Sequence, residues 1–187
     1  MESDKLDIVK RVDLEPGNPN ELLKNLRQIR WNTEVITVKC RKKSVARQAG
    51  RDRRVDLVSY PFTRNWKQNY LDRQQAGLMR DSGCGYLIDL SELITDDPYY
   101  LRKNIEYLKR NKDNAEKKDL PVVASSCART VWGMRDPQGL ASLLSLLDVD
   151  QDHALDMISN TPNGLVARNR EKLKDEYIQP NVWVIEE

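Results

Sequence analysis

Short apolar runs alternate with amphipathic stretches along the chain. Asp7 to Leu14 (DIVKRVDL) reads as a strand, and Glu15-Pro16-Gly17 turns the chain. Asn20 is placed to cap a helix running to about Arg30, with Leu22, Leu23, Leu26 and Ile29 on one side. Glu34 to Cys40 (EVITVKC) is rich in β-branched residues and predicts a strand. A helix over Lys43 to Gly50 follows, with Val45, Ala46 and Ala49 as its small apolar face. Val55 to Tyr60 is the next strand, and after Pro61 comes the polar, aromatic loop FTRNWKQNY. A helix from near Asp72 turns Ala76, Leu78 and Met79 inward, and Gly83 to Leu90 returns as a strand. Asp97-Pro98 opens a long charged helix with Leu101, Ile105 and Leu108 as its stripe.

Pro121 to Ala124 is an apolar run that ends in Ser125, Ser126 and Cys127. A loop carrying Trp132, Met134 and Arg135 leads to Asp136-Pro137, an N-cap and first-turn proline. Leu140, Leu143, Leu144 and Leu147 then fall at helical spacing and predict one buried stripe. Asp150 caps a short helix with Leu155 and Ile158, and Thr161-Pro162 caps another with Leu165 and Val166. Pro180 to Ile185 reads as a last strand or an extended tail.

This strand–helix rhythm predicts an α/β fold with a mainly parallel sheet covered by helices. The 187 residues suit a single domain, 1–187, with 175–187 as a C-terminal tail or edge strand. Five or six strands fall short of the eight or so that a closed barrel of this type needs, so closure stays open. The loop after the Pro121–Ala124 run lies at a strand's carboxyl end, where such folds place their sites.

Composition excludes several classes. No apolar run approaches the roughly 20 residues that span a bilayer. MESDKLDIVKR is neither a signal peptide nor an Arg-rich transit helix. Three cysteines without a CxxC pair argue against a disulfide framework or a zinc site, and point to a reducing, cytoplasmic setting.

The net charge of +2 hides an asymmetry. Lys39 to Arg73 holds eleven Lys/Arg against three acids, a local +8, whereas Asp148 to Glu187 holds four against nine, −5. A basic stretch interleaved with Phe62, Trp66 and Tyr70 suits a phosphate backbone with rings for stacking; it also suits a solvated face over core aromatics. Arg41, Lys42, Lys43, Arg47, Arg64, Trp66, Lys67 and Arg73 are the candidate RNA contacts. Arg53 and Arg54 precede a strand, and one is expected to pair with Asp56 or Asp89. Lys109 to Asp119 mixes signs at helical spacing and reads as a solvated face.

Catalytic equipment is sparse. The one histidine, His153, lies in QDHALDM and reads as a surface helix residue. Without further histidines, a metal centre would fall to Asp13, Asp56 and Asp89, which stand in or near strands and would have to share a face. Ser125-Ser126-Cys127 has no second histidine to activate a nucleophile, and GxGxxG, P-loop and GxSxG motifs are absent. No catalytic or metal-binding residue is assigned.

Four stretches carry a family resemblance: EVITVKCRKKSVARQAGRDRRVDLVSYP, LDRQQAGLMRDSGCGYLIDLSELI, LPVVASSCARTVWGMRDPQGLASLL and ISNTPNGLVARNREKL. In this order they resemble ribonuclease P protein component 3, the archaeal relative of the thirty-kilodalton subunit of nuclear RNase P. The distinctive parts are the strand–Ser125-Ser126-Cys127-Ala128–loop–Arg135-Asp136-Pro137–helix unit and the terminal helix with Pro162, Leu165, Val166, Arg168 and Asn169.

The resemblance implies a TIM-barrel-like parallel (β/α) fold of the polymerase-and-histidinol-phosphatase type without its metal site. It implies a non-catalytic subunit of the ribonucleoprotein that removes 5′ leaders from precursor tRNA. The RNA subunit would hold the active site and its magnesium, and this chain would bind no cofactor. The implied partners are RNase P RNA, component 2 in a heterodimer or heterotetramer, other RNase P proteins and, indirectly, precursor tRNA; none is a membrane. The family usually has further βα units before Asp7, so either the barrel is open or another chain fills the gap. The family often has Ser-Gly-Ala where this chain has Ser126-Cys127-Ala128. A metal-dependent phosphoester hydrolase of the same superfamily is the alternative function.

Overall fold

The computed structural model describes residues 7–63 and 66–174, and the backbone of 177–179 and 182–183. Five parallel strands form one sheet in sequential order: β1 (Arg11–Leu14), β2 (Val35–Lys39), β3 (Leu57–Ser59), β4 (Gly85–Asp89) and β5 (Val122–Ser125). Four helices make the crossovers: α1 (Pro19–Ile29), α2 (Lys43–Arg51), α3 (Arg73–Ser82) and α4 (Pro98–Glu116). After β5 come α5 (Pro137–Leu144), α6 (Gln151–Ile158) and α7 (Asn160–Lys172). β6 (Tyr177–Gln179) and β7 (Val182–Trp183) pair antiparallel as a separate hairpin. The expected Pro180–Ile185 strand is thus present only at Val182–Trp183 among the described residues.

Alternation along the strands sorts the side chains into two faces. Ile36, Val38, Val58, Tyr86, Ile88, Val122 and Ala124 join the large core beneath the helices, with Leu22, Leu26, Val45, Met79, Leu108 and Leu144. Their neighbours Val35, Leu57, Leu87 and Val123 form a second cluster on the other face, closed by Leu165 of α7. Two buried faces on one sheet suit a curved wall with helices outside and a filled interior. The curvature is strong enough for Arg11 of β1 to meet Ser125 of β5. Among the described residues β1 and β5 share no ladder, so the barrel is open.

Local chemistry sets most boundaries. Asp72, Asp97, Asp136 and Asp150 each accept a backbone N–H in the first turn of the helix they cap. α1 is capped by Asn18 rather than the expected Asn20. Its side chain accepts from the Glu21 N–H at 2.9 Å, and Pro19, which needs no partner for a missing N–H, takes the first helical position. Thr161 does not cap α7 either; the helix begins at Asn160, directly after α6, without a side-chain cap. β1 starts at Arg11, four residues later than the DIVKRVDL run suggests.

Two helix faces also differ from the expected stripes. In α3, Gln75 is buried and Leu78 only half-buried. The Gln75 amide donates to the Ala46 carbonyl at 2.7 Å. Gly50 of α2 makes this crossing possible, since a Cβ there would sit 2.3 Å from the Gln75 amide nitrogen. In α4, Leu108 is buried, but Leu101 and Ile105 are only partly covered, and Asn104, Tyr107, Asn111 and Ala115 carry the inward face. Lys109 to Asp119 is therefore no uniformly solvated face. Asn111 is fully buried and accepts the Leu71 N–H at 3.0 Å, while Asn114 donates to the Leu71 carbonyl at 2.8 Å. Lys112 is only 6% exposed and pairs with Asp113 and Glu116.

Candidate functional site

The carboxyl ends of the five strands open into a polar cavity of about 560 Å³. Strand alternation supplies its wall: Arg11 and Asp13 from β1, Thr37 and Lys39 from β2, Ser59 from β3, Asp89 from β4, Ser125 from β5. Lower on the same face, Leu87 and Val123 keep the interior dry.

Ion pairs organise this mouth. Arg11 pairs with Asp13 at 2.7 Å, and its guanidinium lies 3.4 Å from the Ser125 hydroxyl and 3.7 Å from the Cys127 sulfur. Lys39 Nζ lies 3.3 Å from Asp89 and 3.6 Å from Glu92. Burial, reinforced by Asp89 and opposed by Lys39, raises the Glu92 carboxyl. Burial and the neighbouring Asp89 also push the Cys127 thiol up, with Arg11 opposing. A protonated thiol beside no histidine is a poor nucleophile. Ser125 accepts the Cys127 N–H at 3.1 Å and tightens the turn out of β5.

Asp13, Asp56 and Asp89 do not come together. Asp13 and Asp89 line the mouth, but Asp56 lies at the amino end of β3, fully buried. There it accepts from Arg30 at 2.7 Å and from the Ile36 N–H at 2.8 Å. Removing one partner of such a buried pair costs about 3–5 kcal/mol. Neither Arg53 nor Arg54 supplies the pairing expected with Asp56 or Asp89; Arg54 folds back onto Asp52 at 2.7 Å. No three His, Cys, Asp or Glu side chains form a group that would hold a metal ion among the described residues. His153 is an exposed first-turn residue of α6, 3.5 Å from Glu116.

The candidate RNA contacts spread over the rim. Arg41 pairs with Glu15, and Lys42 donates to the Gly17 carbonyl at 2.9 Å. Lys43 and Arg47 share Asp72, at 3.1 and 2.7 Å. Burial would raise the Asp72 carboxyl, but hydrogen bonds from Arg47, the Gln75 N–H and Lys43 outweigh it and lower it to about 2. Lys67 and Arg73 are exposed; Arg64 lies outside the described residues. Trp66 and Tyr70, read as rings for stacking or as core aromatics, are half-buried: Trp66 meets Tyr107 edge-on, and Arg110 lies 3.9 Å over the Tyr70 ring.

The most exposed ring at this end among the described residues is Trp132, 89% accessible, with Val131 and Met134 beside it. Arg135 braces the turn, donating to the carbonyls of Trp132 at 2.9 Å and Met134 at 2.8 Å. Asp136 and Pro137 then start α5, so these motif residues present the loop rather than line the cavity. Of the motif residues, Ser125, Ser126, Cys127 and Ala128 line the cavity. The absence of any acid from Ser125 to Arg135 is the sequence signal that marks this loop.

A family model described as RNase P subunit p30 matches residues 1–174. Ribonuclease P protein component 3 of Methanosarcina mazei is 24% identical over 180 residues, covering 96% of this chain and 74% of the relative. Its counterpart in Methanosarcina acetivorans is 26% identical over 181 residues, again 96% and 74%. A chain in the cryo-EM structure of archaeal Ribonuclease P with mature tRNA shares the fold, with a TM-score of 0.85 at 22% identity, over 100% of this chain and 79% of that one. No helix is long and apolar enough to cross a membrane among the described residues.

Proposed function

This chain belongs to the RNase P subunit p30 family, and from that membership we propose that it serves as a protein subunit of ribonuclease P in the 5′ maturation of tRNA. The observation that carries this is the match over 1–174, together with a mouth whose carboxylates already have cationic partners. Lys39 lies between Asp89 and Glu92, and Arg11 holds Asp13. The side chains at the mouth therefore serve packing and charge balance better than metal-assisted hydrolysis.

On this proposal the RNA subunit supplies catalysis and binds magnesium. The chain supports it by cationic contact with RNase P RNA and by docking on component 2 and other subunits, and touches precursor tRNA indirectly. Polyanionic RNA strands repel each other, and a cationic protein face lowers that cost by releasing counterions. Arg41, Lys42, Lys43, Lys67 and Arg73 are the proposed rim contacts. The braced Val131–Met134 turn has the Trp, Met and Arg chemistry of a protein interface.

The test is reconstitution. RNase P RNA with its other proteins is assayed for 5′ leader removal with and without this chain, across magnesium concentrations. Faster cleavage or a lower magnesium requirement with the chain is the expected result; identical curves would overturn the proposal. Phosphoester hydrolysis by the isolated chain with magnesium or manganese would favour a hydrolase instead.

A further inference from the structure

Two aromatic residues of the loop between β3 and α3 carry cations on their rings. Lys67 Nζ and the Arg110 guanidinium each lie 5.8 Å from the centre of the Trp66 ring, and Arg110 lies 3.9 Å over Tyr70. All three distances fall within the roughly 6 Å at which a cation and a ring attract. Lys67 and Arg110 are exposed, whereas Trp66 and Tyr70 are half-buried.

One face of α4 fixes this arrangement. Tyr107, Arg110, Asn111 and Asn114 recur at helical spacing and meet the loop together. The Tyr107 hydroxyl donates to the Asn69 carbonyl at 2.7 Å, and Asn114 donates to the Leu71 carbonyl at 2.8 Å. Asn111 accepts the Leu71 N–H at 3.0 Å. Phe62 and Trp66 both meet the Tyr107 ring edge-on, at 5.7 and 5.9 Å. The loop is thus fastened to the helix at several points, and its rings are in place before any ligand arrives. The acids nearest Arg110 along α4 are engaged by other cations, Glu106 by Arg102 and Lys103, Asp113 by Lys112. Among the described residues neither Lys67 nor Arg110 pairs with a carboxylate. Other rim cations lack one too; these two differ because rings hold them close together.

We propose that Lys67 and Arg110, held on Trp66 and Tyr70, form a two-point clamp for the phosphate backbone of a structured RNA. The inference rests on the RNA-subunit function and deepens it by placing one backbone grip. Arg110, in contact with Tyr70, has lost side-chain freedom before RNA arrives, which lowers the cost of ordering it on binding. Its fork of N–H donors matches a phosphate, and Lys67 adds a point charge. Like charges gathered on one ring repel, and a phosphate seated between them relieves that repulsion. The half-buried rings hold the cations rather than stack bases, so the contact reads no sequence.

A salt titration of labelled RNase P RNA binding to the full chain tests this. It compares wild type with Lys67→Met/Arg110→Met, which keeps apolar stems over the rings, and with Lys67→Gln alone. A Lys117→Gln/Lys118→Gln control removes the same charge at the carboxyl end of α4. Circular dichroism melts show which variants fold, and the exposed single variant keeps the test decisive if the double one does not. The log–log salt slope should become shallower by about 1.5 in the double variant and about 0.8 in the single one, at roughly 0.7–0.9 per phosphate contact, with little change in the control. Tyr70→Leu removes a ring and no charge, so it should keep the slope and weaken binding roughly two- to fivefold, while Tyr70→Phe binds as wild type. Full affinity in Tyr70→Leu would overturn the ring-held clamp. An equal fall in the control would mean bulk charge and overturn it too. Unchanged slopes in folded variants would place the backbone elsewhere and leave the RNA-binding function standing. A wild-type chain that binds no RNA at low salt would overturn that function and the clamp with it. Normal RNA binding with lost assembly onto the other protein subunits would assign the cluster to an acidic protein partner instead.

Discussion

The side chains of Arg11 and Ser125 lie 114 positions apart in sequence yet meet at 3.4 Å. They belong to the first and last strands of the sheet. In a flat five-stranded sheet those strands would be separated by about 19 Å, four steps of about 4.8 Å. Their meeting measures how far the sheet has curled without closing, and makes Arg11 the tie across the seam.

Arg11→Ala should therefore destabilise the fold by about 1.5–3 kcal/mol, the range for hydrogen bonds to a charged group. Urea unfolding checks this. Ser125→Ala should cost less, since Arg11 keeps Asp13. A loss below about 0.3 kcal/mol for Arg11→Ala would mean that α7 alone holds the open barrel.

The backbone at Cys127 gives a physical reason for the glycine that the resemblance leads one to expect at this place. Its φ is +45°, in the left-handed region that costs an L-residue roughly 1–2 kcal/mol and glycine almost nothing. Cys127→Gly should fold with stability within about 1 kcal/mol of wild type, because relief of strain offsets greater freedom in the unfolded chain. Cys127→Val, β-branched at a positive φ, should lose about 2 kcal/mol or more. Thermal melts of the two variants give the comparison; equal losses would show that the thiol's contact with Arg11, not the backbone, sets the preference.

Asp72 makes stability depend on acid. Against burial, hydrogen bonds from Arg47, the Gln75 N–H and Lys43 hold its carboxyl at about 2, below its ordinary value of 3.8. The stabilisation it provides is complete above pH 4 and disappears as pH falls through 2. Because the carboxylate is partly solvated, the effect should be on the order of 1 kcal/mol. Asp72→Asn should be weaker than wild type at pH 6 and approach it near pH 2, in urea titrations across that range. A constant difference at all pH would tie the loss to the helix cap alone.

Local signals were legible in the sequence, and long-range ones were not. Asp97-Pro98 and Asp136-Pro137 marked their helices because capping needs only neighbouring backbone. Asn18-Pro19 carries the same mark two residues before Asn20 and could have been read by the same rule. By contrast, Arg30 with Asp56 and Asn111 with Leu71 join residues 26 and 40 positions apart, and no spacing rule reaches that far. The same limit governs the rim. Composition drew attention to the basic Lys39–Arg73 stretch, yet folding gave Arg41, Lys43 and Arg47 acidic partners, covered Trp66 and left Trp132 outside.

The leucine stripe of α5 was legible by period alone, and Leu140, Leu144 and Leu147 are buried while Leu143 is partly so. Leu144→Ala should cost about 2–5 kcal/mol in a packed site of this kind. Leu143→Ala should cost clearly less. Denaturant midpoints that rank the two in reverse would place the helix face elsewhere.

Lys39 is the cation on which the mouth's charge balance depends. Burial already raises Glu92, Asp89 adds to that, and Lys39 is the strongest attraction against it. Lys39→Met should leave the two carboxylates facing each other and raise Glu92 further. A carboxyl raised on folding ionises more readily in the unfolded chain. Stability is then highest below the unfolded pKa and falls as pH rises towards the folded one. The gap between Lys39→Met and wild type should accordingly be small at pH 4 and widen to about 1–2 kcal/mol by pH 8, read from urea unfolding at each pH. A gap that is the same at both ends would mean that Lys39 contributes packing and not charge. A gap that closes when magnesium is added to the variant would show that Asp89 and Glu92 can take a metal ion once the ammonium is gone.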